Sequence, residues 1–163
     1  MRNALAGALT TAAGALATGY ALAGHAGWAG FWLLLGAAWW FARRRWRGVG
    51  SLVFFVFTMA ASGGMLAHLG AGWMLLGSVA ALIAWDLDDF VHELQEAPRR
   101  KQEGRLIRAH LQRLIWVGGG GLALGGLALL SSVRLGVGLA VALGLLAVVG
   151  LQQFFALLRG ESD

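Results

Sequence analysis

A chain of 163 residues with 58% hydrophobic and only 13% charged side chains has the wrong balance for a surface that faces water on every side. Its 13 Lys and Arg against 8 Asp and Glu leave a net charge of +5, but the basic residues border long apolar blocks instead of forming one continuous face, so no nucleic-acid partner is expected. Cysteine is absent, which excludes disulfides, thiolate metal sites and dithiol redox chemistry.

Charge placement divides the chain. Residues 3–42, 48–85 and 114–158 form blocks of 40, 38 and 45 residues, interrupted only by His25, His68 and Arg134 respectively. A helix crosses the hydrocarbon core of a bilayer with about 20 apolar residues. Each block is therefore two spans long. The expected fold is an all-α polytopic transmembrane bundle of six spans, 4–23, 27–42, 48–67, 70–87, 114–130 and 135–158, arranged as three hairpins.

In the first span Gly7, Thr11, Ala15, Gly19 and Ala23 recur every four residues. Lipid tails are as apolar as leucine, so helices in a bilayer associate largely through small residues that let backbones approach. This face is a candidate for helix packing or for docking a partner subunit. Arg2, the alanine-rich run and Ala21-Leu22-Ala23 also resemble a secretory signal with its A-x-A cleavage site; the expectation is that the segment is kept as the first span. GHAG at 24–27 turns the chain into the second span, which ends on RRRWR at 43–47.

The third span turns through HLG at 68–70 into the fourth. GWMLLG at 72–77 resembles GFWLLLG at 30–36, and His25 and His68 stand 43 positions apart. Both observations are compatible with two fused copies of a hairpin.

AWDLDDFVHE at 84–93 carries the first carboxylates in the chain. Leu87, Phe90, Val91 and Leu94 continue the fourth span with i, i+3, i+4, i+7 spacing, and Pro98 ends it. A second stripe, Ile107, Leu111, Leu114 and Ile115, leads into the fifth span. Residues 88–113 are thus expected as a charged cytoplasmic helical hairpin, with Glu96 facing Arg105, Glu93 facing Arg108 and Asp89 facing Arg113. That register brings His92 near His110, with Asp89 one turn away. Two histidines and a carboxylate make a candidate transition-metal set, although a solvated hairpin of salt bridges accounts for the same residues. DDFVHE also resembles the acidic motifs that hold magnesium in membrane prenyl and lipid transferases, but their repeated motif and characteristic glycine and arginine positions are missing. Further small-residue faces follow at Gly121 and Gly125 in the fifth span and at Gly136, Ala140 and Gly144 in the sixth.

With a cytoplasmic amino terminus, every basic residue except Arg134 falls on the cytoplasmic side, as the positive-inside rule requires. The chain is then expected in a bacterial cytoplasmic (inner) membrane with both termini inside. No phosphate loop, zinc-protease motif or nucleophile elbow is present, and no catalytic residue and no cofactor is expected. The sequence favours a non-enzymatic subunit or assembly partner of a membrane complex, with the bilayer, another membrane protein or a second copy as partner. A small transporter or substrate-binding component is the alternative: size and span count are similar to those of the vitamin-capturing subunits of energy-coupling transporters, with no shared motif. An enzyme using the Asp/His cluster comes third.

Overall fold

The computed structural model describes residues 2–43, 45–46, 48–96 and 103–130; within these, the side chains of Arg2, Glu93, Gln95, Glu96, Glu103, Arg105 and Leu106 are not described. The described residues belong to one compact unit, residues 1–130, and form five helices and no strand: α1 (Arg2–Leu22), α2 (Ala26–Ala42), α3 (Val49–Leu66), α4 (Ala71–Glu96) and α5 (Glu103–Leu130). Six spans were expected. The sixth, at 135–158, lies outside the described residues.

Among the described residues, three stretches are long and apolar enough to cross a membrane, Asn3–Leu22, Val49–Leu66 and Ile107–Leu130, and α2 is a shorter apolar helix. α4 is a single helix that carries Asp86, Asp88 and Asp89 in its second half.

Helix ends fall where glycine permits backbone that other residues avoid. Gly24, Gly48 and Gly70 have φ of 84°, 87° and 74°, the left-handed region in which a missing Cβ removes the steric cost. At the end of α1 the amide of His25 donates to Tyr20 O at 2.9 Å, and at the end of α3 that of Leu69 donates to Gly64 O at 2.9 Å. Both bonds close otherwise unpaired terminal carbonyls.

The principal association lies between α1 and α4, ahead of the sequential pair α1 and α2; α3 packs mainly on α4, and among the described elements α5 touches α4 alone. Three self-contained hairpins would have placed the strongest contacts between chain neighbours. The reason for the difference is a shared seam. Leu5, Leu9, Ala12, Leu16 and Gly19 are all buried on α1, spaced 4-3-4-3 so as to stay on one helix face. Met74, Gly77, Ala81, Ala84 and Asp88 are all buried on α4 with the mirrored spacing.

Large meets small along this seam. Gly19 lies against Met74, and a Cβ on Gly77 would stand 3.0 Å from Leu16 Cδ2. Two clusters of buried residues result. One joins Ala12, Leu16, Trp32, Phe57 and Met74; the other joins Leu5, Leu9, Trp39, Ala84 and Leu87. α1 and α4 contribute to both, so cleavage after Ala23 would remove a central part of the core. The two similar motifs also meet on α1, since Gly36 abuts Ala13 while Gly77 abuts Leu16.

The outside is apolar too. Trp28, Leu34 and Phe41 on α2, Leu52 and Phe55 on α3, and Ile115, Trp116, Leu124 and Leu127 on α5 are all exposed.

Candidate functional site: a buried ion pair and its surroundings

Asp88 comes last on the α4 seam. The spacing that buries Met74, Gly77, Ala81 and Ala84 carries a carboxylate inward at the next turn, where it is 4% exposed. Its partner is Arg43, at the carboxyl end of α2. Arg43 Nη1 donates to Asp88 Oδ1 at 2.9 Å, and the two side chains are 10% and 5% exposed. Desolvating two charges is expensive, and the pair persists because each meets the other at hydrogen-bonding distance. Removing one partner would strand the other.

The surroundings are built to admit these groups. Arg43 lays its guanidinium over the Trp40 ring, 4.5 Å from the centroid, a cation–π contact that offsets part of the lost hydration. Gly50, in the first turn of α3, leaves room for the carboxylate: a Cβ there would lie 3.0 Å from Asp88 Oδ2, 3.6 Å from Trp39 Nε1 and 3.8 Å from Trp85 Cδ1. Gly48, just before α3, supplies no side-chain cap. Asp88 therefore brings negative charge from another helix to the positive end of the α3 dipole. Trp85 donates its Nε1–H to Ser51 Oγ at 3.1 Å and stacks on Phe54 at 5.3 Å. Trp39 is wholly buried and meets Phe57 edge-on.

The three candidate metal ligands are placed as follows. Asp89 is exposed. His92 has Nδ1 2.8 Å from the backbone oxygen of Asp88 and 3.9 Å from Asp88 Oδ1. His110 reaches across from α5 and stacks flat on Phe90, with ring centroids 3.9 Å apart. Its Nε2 is 2.7 Å from Asp86 Oδ2, a distance suited to an ion pair, although the two are not aligned as a hydrogen bond. Among the described residues no three His, Asp or Glu side chains converge as a metal would require. The antiparallel level of α4 and α5 is close to that inferred from sequence, yet the faces differ: Asp86 and Phe90 point to α5, whereas Asp88 turns toward α2 and α3. Asp89 and Arg113 are both exposed, and the Glu96/Arg105 and Glu93/Arg108 pairings involve side chains outside the described set.

The small-residue faces divide as well. On α1, Ala15 and Gly19 are buried, while Gly7, Thr11 and Ala23 are exposed, with open space above Gly7. On α5, a Cβ at Gly125 would meet Leu75 Cδ1 at 2.6 Å and one at Gly118 would meet Ile83 Cδ1 at 2.8 Å, with Gly121 3.9 Å from Val79 Cγ2 by the same measure. Gly136, Ala140 and Gly144 lie outside the described residues.

Arg43 and Asp88 were the residues that sequence reading passed over. In the sequence Arg43 reads with the other arginines of its turn as a topology signal, and Asp88 with the carboxylates of the charged hairpin. A signal for Asp88 did exist in the spacing 74, 77, 81, 84, 88. For Arg43 there was none beyond its place next to the aromatic end of α2. No known protein family, curated protein or solved structure matches the chain.

Proposed function

We propose that the chain is a small multi-pass protein of a bacterial inner membrane, with six spans, both termini cytoplasmic and the end of α4 and start of α5 forming a charged cytoplasmic hairpin, and that it serves as a non-enzymatic subunit or assembly partner in a membrane complex. The observation that carries this reading is α5. Its stretch Ile107–Leu130 is long and apolar enough to span, is only 6% buried, and touches α4 alone among the described elements. Apolar area on this scale in a soluble monomer would drive association; surrounded by lipid or by another membrane helix it is at rest. The open space over Gly7 and Gly14 on α1 offers a second place where a partner backbone can come close.

The same reading assigns the Arg43–Asp88 pair to architecture. It ties the end of α2 to α4 close to the start of α3, and the titratable group beside it, His92, spends its Nδ1 on the backbone oxygen of Asp88 at 2.8 Å and stands 3.9 Å from Asp88 Oδ1. Both groups sit at the end of the bundle where the arginines place the cytoplasm, which is where charge is least costly.

Because the native chain has no cysteine, single substitutions give clean probes. Thr11→Cys, on the exposed face of α1, is expected to crosslink to a partner or a second copy in native membranes, while Ser78→Cys, on the partly buried body of α4, is not. A Thr11→Cys protein that stays uncrosslinked and elutes from mild detergent at the mass of one chain would remove the subunit reading. Release of the protein by alkaline carbonate would remove the membrane reading itself.

A further inference from the structure

We propose that the groove between α1 and α2 binds one acyl chain of an anionic phospholipid from the leaflet on the Arg43 side; this rests on the membrane reading above and names a ligand for it. The groove encloses about 360 Å³ and is walled by Leu9, Thr10 and Ala13 of α1 and by Gly36, Ala37 and Trp40 of α2. It exists because small residues face each other: Gly36 abuts Ala13, holding the two helices close at that level while the flanking positions leave space.

Its chemistry suits hydrocarbon. Thr10 is the one hydroxyl in the wall, and it points back into its own helix, with Oγ1 3.0 Å from Ala6 O and 3.0 Å from Gly7 O. A polar substrate would find no spare hydroxyl donor there. The wall on α2 runs from Leu33 to Phe41, which at about 1.5 Å per residue is about 12 Å along the axis. That is close to half of a hydrocarbon core of about 30 Å, and so to the depth of a single leaflet.

One end of the groove is marked by charge. Trp40 lines it, and the Arg43 guanidinium lies over that same ring. Residues 43–47 read RRRWR, with four arginines and no acid. Asp88 neutralises Arg43, whereas Arg45, two positions further on, is exposed. An excess of positive charge at the mouth of an acyl-chain groove complements a phosphate that carries net negative charge.

The test uses the full chain in mild detergent, incubated with equal amounts of phosphatidylglycerol and phosphatidylcholine of the same acyl length, with bound lipid counted by native mass spectrometry. One retained phosphatidylglycerol per chain is expected. Ala37→Phe fills the groove from an exposed position and should abolish retention of both lipids. Arg45→Gln should keep the chain-binding groove and lower the preference for phosphatidylglycerol about fivefold, the effect of one basic residue at an anionic surface. Leu52→Phe, at an exposed apolar site on α3, should change nothing, and thermal unfolding of each variant shows whether it is folded. Equal retention of the two lipids by the native chain overturns the proposal, as does undiminished retention by folded Ala37→Phe. A doubled mass that Ala37→Phe removes would assign the groove to a second copy and overturn it as well. Recovery of the chain without detergent would instead defeat the membrane reading on which it rests.

Discussion

The two seams on α4 use glycine in opposite ways. Against α1, Gly77 receives Leu16 while Met74 fills the space over Gly19; each helix contributes both large and small residues, and α2 and α3 cover the flanks. Against α5, the glycine notches stand on α5 and the side chains that fill them on α4, with Leu75, Val79 and Ile83 meeting Gly125, Gly121 and Gly118. Of the spanning stretch in α1, 44% is buried, against 6% in α5. The first seam is a core. The second is an attachment, and it leaves most of the α5 surface uncovered by the other described helices.

The largest expected effect tests what closes the core. Asp88→Leu leaves the Arg43 charge buried without its counterion and should destabilise the bundle by about 3–5 kcal/mol, read as a lowered unfolding temperature in detergent. Arg43→Leu combined with Asp88→Leu should recover much of that loss, because no lone charge remains. If the single and double variants unfold alike, the pair does not hold the bundle shut.

Next comes bulk in the core seam. Ala15→Leu together with Gly19→Leu inserts volume where α1 is already buried, and overpacking of this kind costs about 1–3 kcal/mol per site. A thermal midpoint that does not move would contradict the close approach of α1 and α4.

Gly125→Leu separates the two seams. It should push α5 away from Leu75 while the rest of the bundle keeps its unfolding temperature, and the change is visible as faster labelling of an engineered cysteine at Val79. Equal loss of stability from Gly125→Leu and from Gly77→Leu would show that the two seams are equivalent. The smallest effect is expected at Gly120→Ala. No side chain stands within 4 Å of the added methyl, so only the helix propensity changes, with a gain of at most about 1 kcal/mol.

Much of the helical order was legible because polarity and glycine punctuate this chain sharply. Gly24, Gly48 and Gly70 end or begin helices within a residue or two of the expected places, and the apolar stripe of Leu87, Phe90, Val91 and Leu94 lies on the continuous α4. Rotation about the helix axis was harder. Each residue advances by about 100°, so a register counted along the axis put His92 opposite His110, although Phe90 and Asp86 are the residues facing it. The four-residue recurrence on α1 led to Gly7, Thr11 and Ala23, which are exposed, where the buried face follows alternating steps of four and three. Small residues were visible in the sequence; which of them meet a neighbour depends on where the neighbour's large residues are. Asp88 was obscured for a related reason, since a carboxylate beside Asp86 and Asp89 reads as solvent-facing until the seam is followed one turn further.

The distance in sequence between Arg43 and Asp88, 45 positions, has a consequence for biosynthesis. A ribosome delivers the arginine two helices before the aspartate exists. During that interval the growing chain holds no acidic side chain to meet the guanidinium, since Asp86 is the first acid in the sequence. Contact between the two groups can form only once α3 and most of α4 have been made, so the ion pair acts as a latch that engages late. A chain cut short before Asp88 would keep an unlatched charge at the end of α2.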